Sequence, residues 1–184
     1  ETARQIYVVK ADPINDIYFD YTFNIVNPSF ETGNTDGWTT SSGGDTGAKL
    51  NSNGTYTIEG ADGEFVFNTW GTDNMRVEQT LKNIPTGLYT AKVIVASDQN
   101  NIISLTAGNV TTDITITTNK SIATEGVVET SYSSGDFLIG ASSATWFKAD
   151  NFRLYYHGFD VPTAQNGVAT LKAEAEALVG TPMN

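Results

Sequence analysis

Residues 68–74 place an indole ring among amide, hydroxyl and carboxylate side chains and a glycine. Trp70 joins no apolar stripe in this segment, and Asp73 and Asn74 follow it closely. An aromatic plane can stack on the apolar face of a pyranose ring, while planar polar groups bond its hydroxyls. Trp70, Asp73 and Asn74 are therefore candidate ligand-binding residues. The alternative is that Trp70 is a structural residue at the rim of the fold.

The residue types that would support catalysis are present without a catalytic pattern. A glycosidase needs two carboxyl groups about 5–9.5 Å apart in a cleft, and the spacing of the acidic residues marks no such pair. The single histidine, His157, falls at the end of a predicted strand, and no nucleophile motif accompanies it. The sequence predicts that the protein is not an enzyme.

Charge and composition exclude further classes. Ten basic residues against twenty-one acidic ones give a net charge of −11, which argues against nucleic acid as a partner. No apolar run approaches the ~20 residues of a membrane span, so membrane insertion is not expected. The absence of cysteine excludes thiolate metal sites and thiol nucleophiles.

The elements that position the candidate residues are predicted to be strands. The chain of 184 residues is long enough for one domain with a short appendage, and its 26 threonines favour the half-exposed pleat of a sheet. Residues 75–82 alternate between apolar and polar side chains, and residues 88–96 are apolar on both faces. Further strands are predicted at residues 56–58, 65–67, 102–106, 114–118, 127–132, 136–141 and 146–157. Short strands joined by polar turns indicate an all-β protein with two sheets or a barrel.

The last of these strands contains a change of phase. Phe147 and Ala149 fit one inward set, whereas Phe152 and Leu154 fit the other. A β-bulge at residues 150–151 would bring both sets inward and re-aim the Asp150 carboxylate. The alternative is that Phe147 faces outward and no bulge exists.

The two ends of the chain differ from the strand-rich part. Residues 1–21 form a lead-in with a short predicted strand at residues 5–10, and residues 22–158 form the β-sandwich. Within residues 159–184, apolar side chains at helical spacing predict one helix over residues 163–178, with Thr163 as N-cap and Gly180 as its terminating glycine. This segment either packs on the sandwich or begins a truncated helical domain.

Three segments carry a family resemblance: Asn-Pro-Ser-Phe-Glu at 27–31 with Gly-Trp at 37–38, then residues 79–89, then Trp-Phe-Lys-Ala-Asp-Asn-Phe-Arg-Leu at 146–154. Together they resemble the galactose-binding-like jelly roll of non-catalytic carbohydrate-binding modules on bacterial cell-surface glycan-degrading proteins. The resemblance covers roughly residues 25–156. It implies a two-sheet antiparallel jelly-roll sandwich in which Trp38 packs inside.

The resemblance also implies one structural calcium ion, held by Glu31 and Asp150 with backbone carbonyls near Ser29. Calcium binds six to eight oxygens, and fixed carboxylates with carbonyls from irregular backbone would supply them. The alternative is that turn amides satisfy two ordinary carboxylates. A calcium ion here would join the first strand to the last and carry no catalysis.

The expected function is that of a non-catalytic carbohydrate-binding module in a secreted or cell-surface bacterial protein. Its partners would be a glycan or oligosaccharide and other domains of a larger chain. The alternative is a structural or adhesive spacer with the same fold and no sugar site. Residues 41–53, a run of small polar side chains, are expected to be a recognition loop or disordered.

Overall fold

The computed structural model describes residues 18–158 and four further positions, Ala169, Lys172, Ala173 and Glu176, which are helical. Eleven strands lie within residues 18–158, with a single 3₁₀ turn at Thr22–Asn24. They are β1 (Phe19–Asp20), β2 (Thr39–Thr40), β3 (Gly47–Leu50), β4 (Phe65–Thr69), β5 (Met75–Leu81), β6 (Gly87–Ala96), β7 (Ile102–Ala107), β8 (Val110–Thr115), β9 (Thr124–Tyr132), β10 (Phe137–Ser143) and β11 (Phe147–Gly158).

The strands form two antiparallel sheets. The first sheet has the order β3-β4-β11-β6-β9, and β1 pairs with the far end of β11. The second sheet has the order β2-β5-β10-β7-β8. Chain neighbours often lie in different sheets, so most pairings join distant parts of the sequence. The predicted all-β, two-sheet antiparallel sandwich is confirmed.

Alternating side chains from both sheets fill the core. Strand β5 shows the predicted pattern, with Met75, Val77, Gln79 and Leu81 buried and the residues between them more exposed. An aromatic cluster occupies one part of the core, where the rings of Trp38 and Phe152 have centroids 4.6 Å apart. Trp38 is 8% exposed, which confirms its predicted position in the core.

Gln79 explains how a polar side chain fits on the buried face of β5. Its side-chain amide donates to the carbonyl of Val26 at 3.0 Å and accepts from the amide of Val26 at 2.8 Å. Both backbone hydrogen-bonding groups of Val26, a residue outside the ladders, are thereby satisfied by a buried side chain of the second sheet. Gln79 attaches the segment before the first motif, 53 residues away, to the second sheet.

Three strand predictions need correction. Residues 47–50, predicted as loop, form β3 because β4 supplies a full ladder from Gly47↔Asn68 to Leu50↔Phe65. Residues 56–58, predicted as a strand, form the end of a turn and irregular backbone, and the isolated bridge next to them is at Glu59. Strand β8 spans Val110–Thr115, earlier than the predicted residues 114–118, because it pairs with β7 across a two-residue turn.

Two other predictions fall outside the described residues. The short strand at residues 5–10 lies wholly outside them, and the helix over residues 163–178 lies outside them except at four positions. Both stay predictions. Among the residues that the structure describes, no helix is both long enough and apolar enough to cross a membrane.

Gly140 lies where the two central strands of the second sheet approach closely. It is opposite Glu78, and a Cβ atom at residue 140 would come 2.6 Å from the carbonyl oxygen of Val77 and 2.8 Å from the Cβ of Glu78. We expect Gly140→Ala to lower the free energy of unfolding by about 1–3 kcal/mol, the usual cost of overpacking. Urea denaturation measures this change.

The matched control is Gly54→Ala, because a Cβ atom there would meet nothing within 4 Å and the residue has no positive φ. We expect the free energy of unfolding of this variant to be unchanged or slightly higher, because alanine reduces the conformational entropy of the unfolded chain. Equal stability of the two alanine variants would contradict the close strand approach at Gly140.

Candidate functional site

Strand β11 contains the predicted β-bulge. Its register against β6 shifts between Asp150 and Arg153, and Asn151 has a φ of 55°. Phe147 and Ala149 before the shift are buried, and so are Phe152 and Leu154 after it. The alternative with Phe147 facing outward is wrong. The bulge turns two consecutive polar residues, 150 and 151, away from the core face of the strand.

The Asp150 carboxylate is fully buried. Its Oδ2 accepts a hydrogen bond from the backbone amide of Asp62 at 2.7 Å. Its Oδ1 is buried without a partner among the described residues, and so is Oδ1 of Asn151. Burial raises the pKa of Asp150 to about 7, although amide hydrogen bonds oppose this shift, and the nearby carboxylates of Asp62 and Glu31 add to it.

Glu31 has a different environment, because its carboxylate is satisfied by backbone amides. Its Oε2 accepts from the amide of Glu64 at 2.9 Å and its Oε1 from the amide of Phe65 at 3.0 Å. Gly63, with a φ of 70°, lies directly against this carboxylate, and a side chain there would overlap with it. The turn at residues 62–65 therefore contacts Asp150 with one amide and Glu31 with two.

Ser29 contacts the turn at residues 62–65 from its other side. Its side chain is buried, and its Oγ is 3.3 Å from Oδ2 of Asp62. The same Oδ2 atom accepts from Nη2 of Arg153 at 2.8 Å. The amide of Phe152 donates to the carbonyl of Pro28 at 2.9 Å, so the bulge also holds the segment before Ser29.

This arrangement joins all three residues predicted as calcium ligands through one turn. The buried Oδ1 atoms of Asp150 and Asn151, which have no hydrogen-bond partner, are oxygens of the kind that calcium prefers. No group of three or more acidic, histidine or cysteine side chains with metal-binding geometry occurs in the described part of the chain. A calcium ion would consequently depend on Asn151 and backbone carbonyls as well as on the carboxylates.

Sequence reasoning did not assign Asp62, Asn151 or Arg153 to this site. The Asp-Gly pair at residues 62–63 is the signal of a turn with a positive φ. Nothing in the sequence indicates that this turn contacts Asp150, which is 88 residues further along the chain.

The second candidate site lies at the end of β4. Trp70 is 60% exposed, which removes a core role for this residue. Its carbonyl accepts from the amide of Asp45 at 2.8 Å, and Thr72 Oγ1 donates to the carbonyl of Ser42 at 2.7 Å. Gly44 lies so close to the backbone at 70–71 that a side chain at position 44 would overlap with it.

A shallow depression of about 430 Å³ lies between these two loops and is lined by Gly43, Gly44, Gly71 and Asp73 among others. Asn74 does not line it. Asn74 lies instead in a neighbouring depression of about 550 Å³ on the second sheet, with Arg76, Ile102 and Ser104. The structure thus places Asp73 in the depression beside Trp70, whereas Asn74 lies in the neighbouring depression.

The third tryptophan, Trp146, is partly buried against the core, and its Nε1 donates to Oδ2 of Asp98 at 2.8 Å. Its edge is therefore engaged within the fold. Trp70 is the tryptophan whose surface is mainly open.

The fold is similar to solved carbohydrate-binding modules. TmCBM61, determined in complex with β-1,4-galactotriose, is 19% identical with a TM-score of 0.54, covering 71% of this chain and 95% of that one. A family 16 carbohydrate-binding module is 19% identical with a TM-score of 0.43, covering 71% and 97%. No protein-family model and no curated protein sequence matches the chain.

Another similar solved structure is a longer chain. The CBM22-1–GH10 modules of endo-1,4-β-D-xylanase 10B from Clostridium thermocellum, complexed with xylohexaose, match over 74% of this chain and 29% of that one, at 18% identity and a TM-score of 0.48. The chain has the jelly-roll fold of carbohydrate-binding modules, as its sequence motifs predicted.

The pKa of Asp150 leads to a prediction about stability. The native state holds a proton on this carboxyl up to about pH 7, whereas the unfolded chain releases it near the ordinary value of 3.8. In chelator, the contribution of Asp150 to the free energy of unfolding should therefore fall as the pH rises from 4 to 7, by up to about 4 kcal/mol at ~1.36 kcal/mol per pKa unit. Urea denaturation of the wild type and of Asp150→Asn at pH 4.5 and 7.5 measures it.

Asp150→Asn keeps an acceptor for the Asp62 amide and carries no charge, so the difference in stability between this variant and the wild type should grow with pH. The exposed Asp113→Asn is the matched control and should change little relative to the wild type. A constant difference across this pH range for Asp150→Asn would contradict the assigned burial.

Proposed function

We propose that this protein is a non-catalytic carbohydrate-binding module that binds a neutral glycan through Trp70. The observation that carries the proposal is a 60% exposed indole, held on a jelly roll beside a shallow polar depression. An exposed indole has a large apolar face in water, and the C–H face of a pyranose ring would cover it.

The backbone at Trp70 is held before any ligand binds. It follows the last residue of β4 directly, and the backbone hydrogen bond from Asp45 holds its carbonyl. A close glycine contact on the neighbouring loop adds a second restraint. Because this backbone is already ordered, its conformational entropy is not lost on binding, and the arrangement favours binding.

The depression beside Trp70 suits hydroxyl groups. Asp73 lines it together with backbone of the glycine-rich loops at 43–44 and 71. A carboxylate accepts hydrogen bonds from sugar hydroxyls, and its negative charge, with a net charge of −11 for the chain, disfavours acidic sugars. Asn74, in the neighbouring depression, would contact only a ligand that extends onto the second sheet.

Calcium belongs to the same proposal as a structural ion. Asp150, Glu31 and carbonyl oxygens near Ser29 would hold it, with Asn151 as a further oxygen donor. The ion would neutralise the buried carboxylate and tie the 29–31 segment to β11. It takes no part in sugar binding, because these residues lie on the bulge and turn rather than in the depression beside Trp70.

The sequence motifs support a wider context for this module. We propose that it acts in a secreted or cell-surface bacterial protein alongside other domains.

We expect Trp70→Ala to abolish measurable glycan binding. Truncation of a stacking aromatic should cost about 2–4 kcal/mol, a 30- to 1000-fold loss of affinity, by analogy with hot spots at protein interfaces. The melting temperature should stay nearly unchanged because the side chain is mainly exposed. Isothermal titration with galactotriose, cellohexaose, xylohexaose and mannohexaose measures the affinity, and chromogenic glycosides test for hydrolysis.

Leu50→Ala is the matched control, since Leu50 is another large exposed apolar side chain and lines neither depression. It should bind as the wild type does. A large fall in melting temperature for Trp70→Ala would assign a packing role to the indole. No binding of any glycan by the wild type would favour the spacer function instead.

A further prediction concerns calcium. Saturating calcium should raise the stability of dialysed protein at pH 7.5, by about 2.7 kcal/mol at a hundred times the dissociation constant. Asp150→Asn should remove this response, because the amide provides no charge for the ion. Thermal melting with chelator and with calcium chloride measures it, and a melting curve that calcium leaves unmoved would contradict the site.

A further inference from the structure

The outer face of the first sheet carries a second concave surface, away from Trp70. Two adjoining depressions, of about 500 and 390 Å³, cross strands β11, β6 and β9 and share Thr90, Glu129 and His157. Leu88 lines the larger one and Tyr155 the smaller one. We call this surface the His157 groove.

The composition of the groove is unusual for an outward sheet face in this protein. Outward positions of the second sheet carry small or polar side chains (Glu78, Thr80, Ser104, Thr106, Gly140 and Ser142) and two apolar ones (Leu138 and Ile102), but no aromatic ring. The His157 groove has two outward tyrosines, Tyr18 and Tyr155, a histidine, a leucine and Val127, which is 38% exposed. Aromatic and apolar side chains on a solvent-side face indicate a surface with a ligand.

The aromatic side chains are held in place by one another. Nε2 of His157 and Oγ1 of Thr90 form a hydrogen bond of 2.8 Å. The rings of Tyr18 and Tyr155 meet edge to face with centroids 5.1 Å apart, and the ring of Tyr18 lies 6.2 Å from that of His157. The groove is therefore largely formed in advance.

The charges of the groove indicate which ligand it fits. Lys92 is paired with Glu125 at 3.1 Å, and Glu129 is exposed with no ion-pair partner within residues 18–158. The free charge is thus negative, which excludes an acidic ligand and leaves acceptors for hydroxyl donors. Rigid aromatic faces with hydroxyl-bonding groups are the chemistry that recognises sugars.

We infer that the His157 groove is a second binding site for a neutral oligosaccharide. This inference extends the proposed function with a site that is independent of Trp70. Thr69, next to Trp70, pairs with Phe147 at the start of β11, whereas His157 is near the end of that strand. Ten residues of bulged strand at about 3.3 Å each place the two sites roughly 30 Å apart.

This separation has a functional consequence. A short oligosaccharide cannot reach both sites, so the module would hold two chains, or two distant segments of one chain. Linked sites of this kind raise the apparent affinity for an insoluble or multichain glycan far above that of either site alone.

The experiment uses the single histidine as a reporter. His157 is the only histidine in the chain, so its imidazole ring gives one set of NMR signals from this groove. The full chain is titrated with galactotriose, cellohexaose, xylohexaose and mannohexaose while the His157 ring and Trp70 indole signals are followed. We expect saturable shifts of the His157 signals that persist in Trp70→Ala.

Two exposed acidic residues provide a matched pair of variants. Glu129 lines the groove, whereas Asp113 lies on β8 of the second sheet and lines neither of its depressions. Glu129→Ala should weaken the affinity read from His157 at least fivefold, and Asp113→Ala should change it less than twofold. Equal melting temperatures of the two variants would confirm that folding is not the cause.

The possible outcomes distinguish the His157 groove from the site at Trp70. His157 signals that stay unmoved by every probe, or that lose their response in Trp70→Ala, overturn the second site and leave the proposed function intact. Movement of His157 signals without any response at Trp70 supports the groove and overturns the assignment of Trp70.

Discussion

The bulge in β11 is the constraint on which the rest of the structure depends. This strand is central in the first sheet and pairs with β4, β6 and β1, so its phase determines what faces the core. A regular strand would send either Phe147 or Phe152 into solvent, at about 1.5–3 kcal/mol for a large apolar side chain. The extra residue keeps both rings buried, and Asn151 accepts the left-handed conformation that this requires.

The same irregularity creates the polar centre on the outer side of that sheet. Once Asp150 is turned away from the core, the segment at 28–31 and the turn at 62–65 close over it, and its carboxylate is removed from water. Burial removes these carboxylate oxygens from water, and backbone amides of the turn replace part of that hydration. They donate to both oxygens of Glu31 and to one oxygen of Asp150. The remaining buried oxygens, Oδ1 of Asp150 and Oδ1 of Asn151, have no hydrogen-bond partner among the described residues and are the basis of the calcium proposal.

The two proposed sugar sites lie near opposite ends of β11, with the polar centre between them. The site at Trp70 depends on loops whose glycines allow close approach of two backbones. The His157 groove instead depends on side chains that project from paired strands, and its geometry follows from sheet register. One sandwich with a central bulge can thus carry two proposed sites of different kinds, one formed by loops and one formed by the side chains of paired strands.

The sequence by itself determined the strand periodicity and the phase change at residues 150–151. These features are local, because the pattern of apolar side chains within one strand fixes which face is buried. The family motifs added the jelly roll, the position of Trp38 in the core and the residues predicted to bind calcium.

Only the tertiary structure decided that residues 47–50 form a strand, that Asp62 caps Asp150, and that Asp73 and Asn74 face different depressions. It also decided that Trp70 is exposed and that Tyr18, Thr90, Glu129 and His157 share one groove. Each of these depends on which segments become neighbours, at separations from 15 residues for Leu50 and Phe65 to 139 residues for Tyr18 and His157. That choice is made by the packing of the whole core, and no local pattern of residues encodes it.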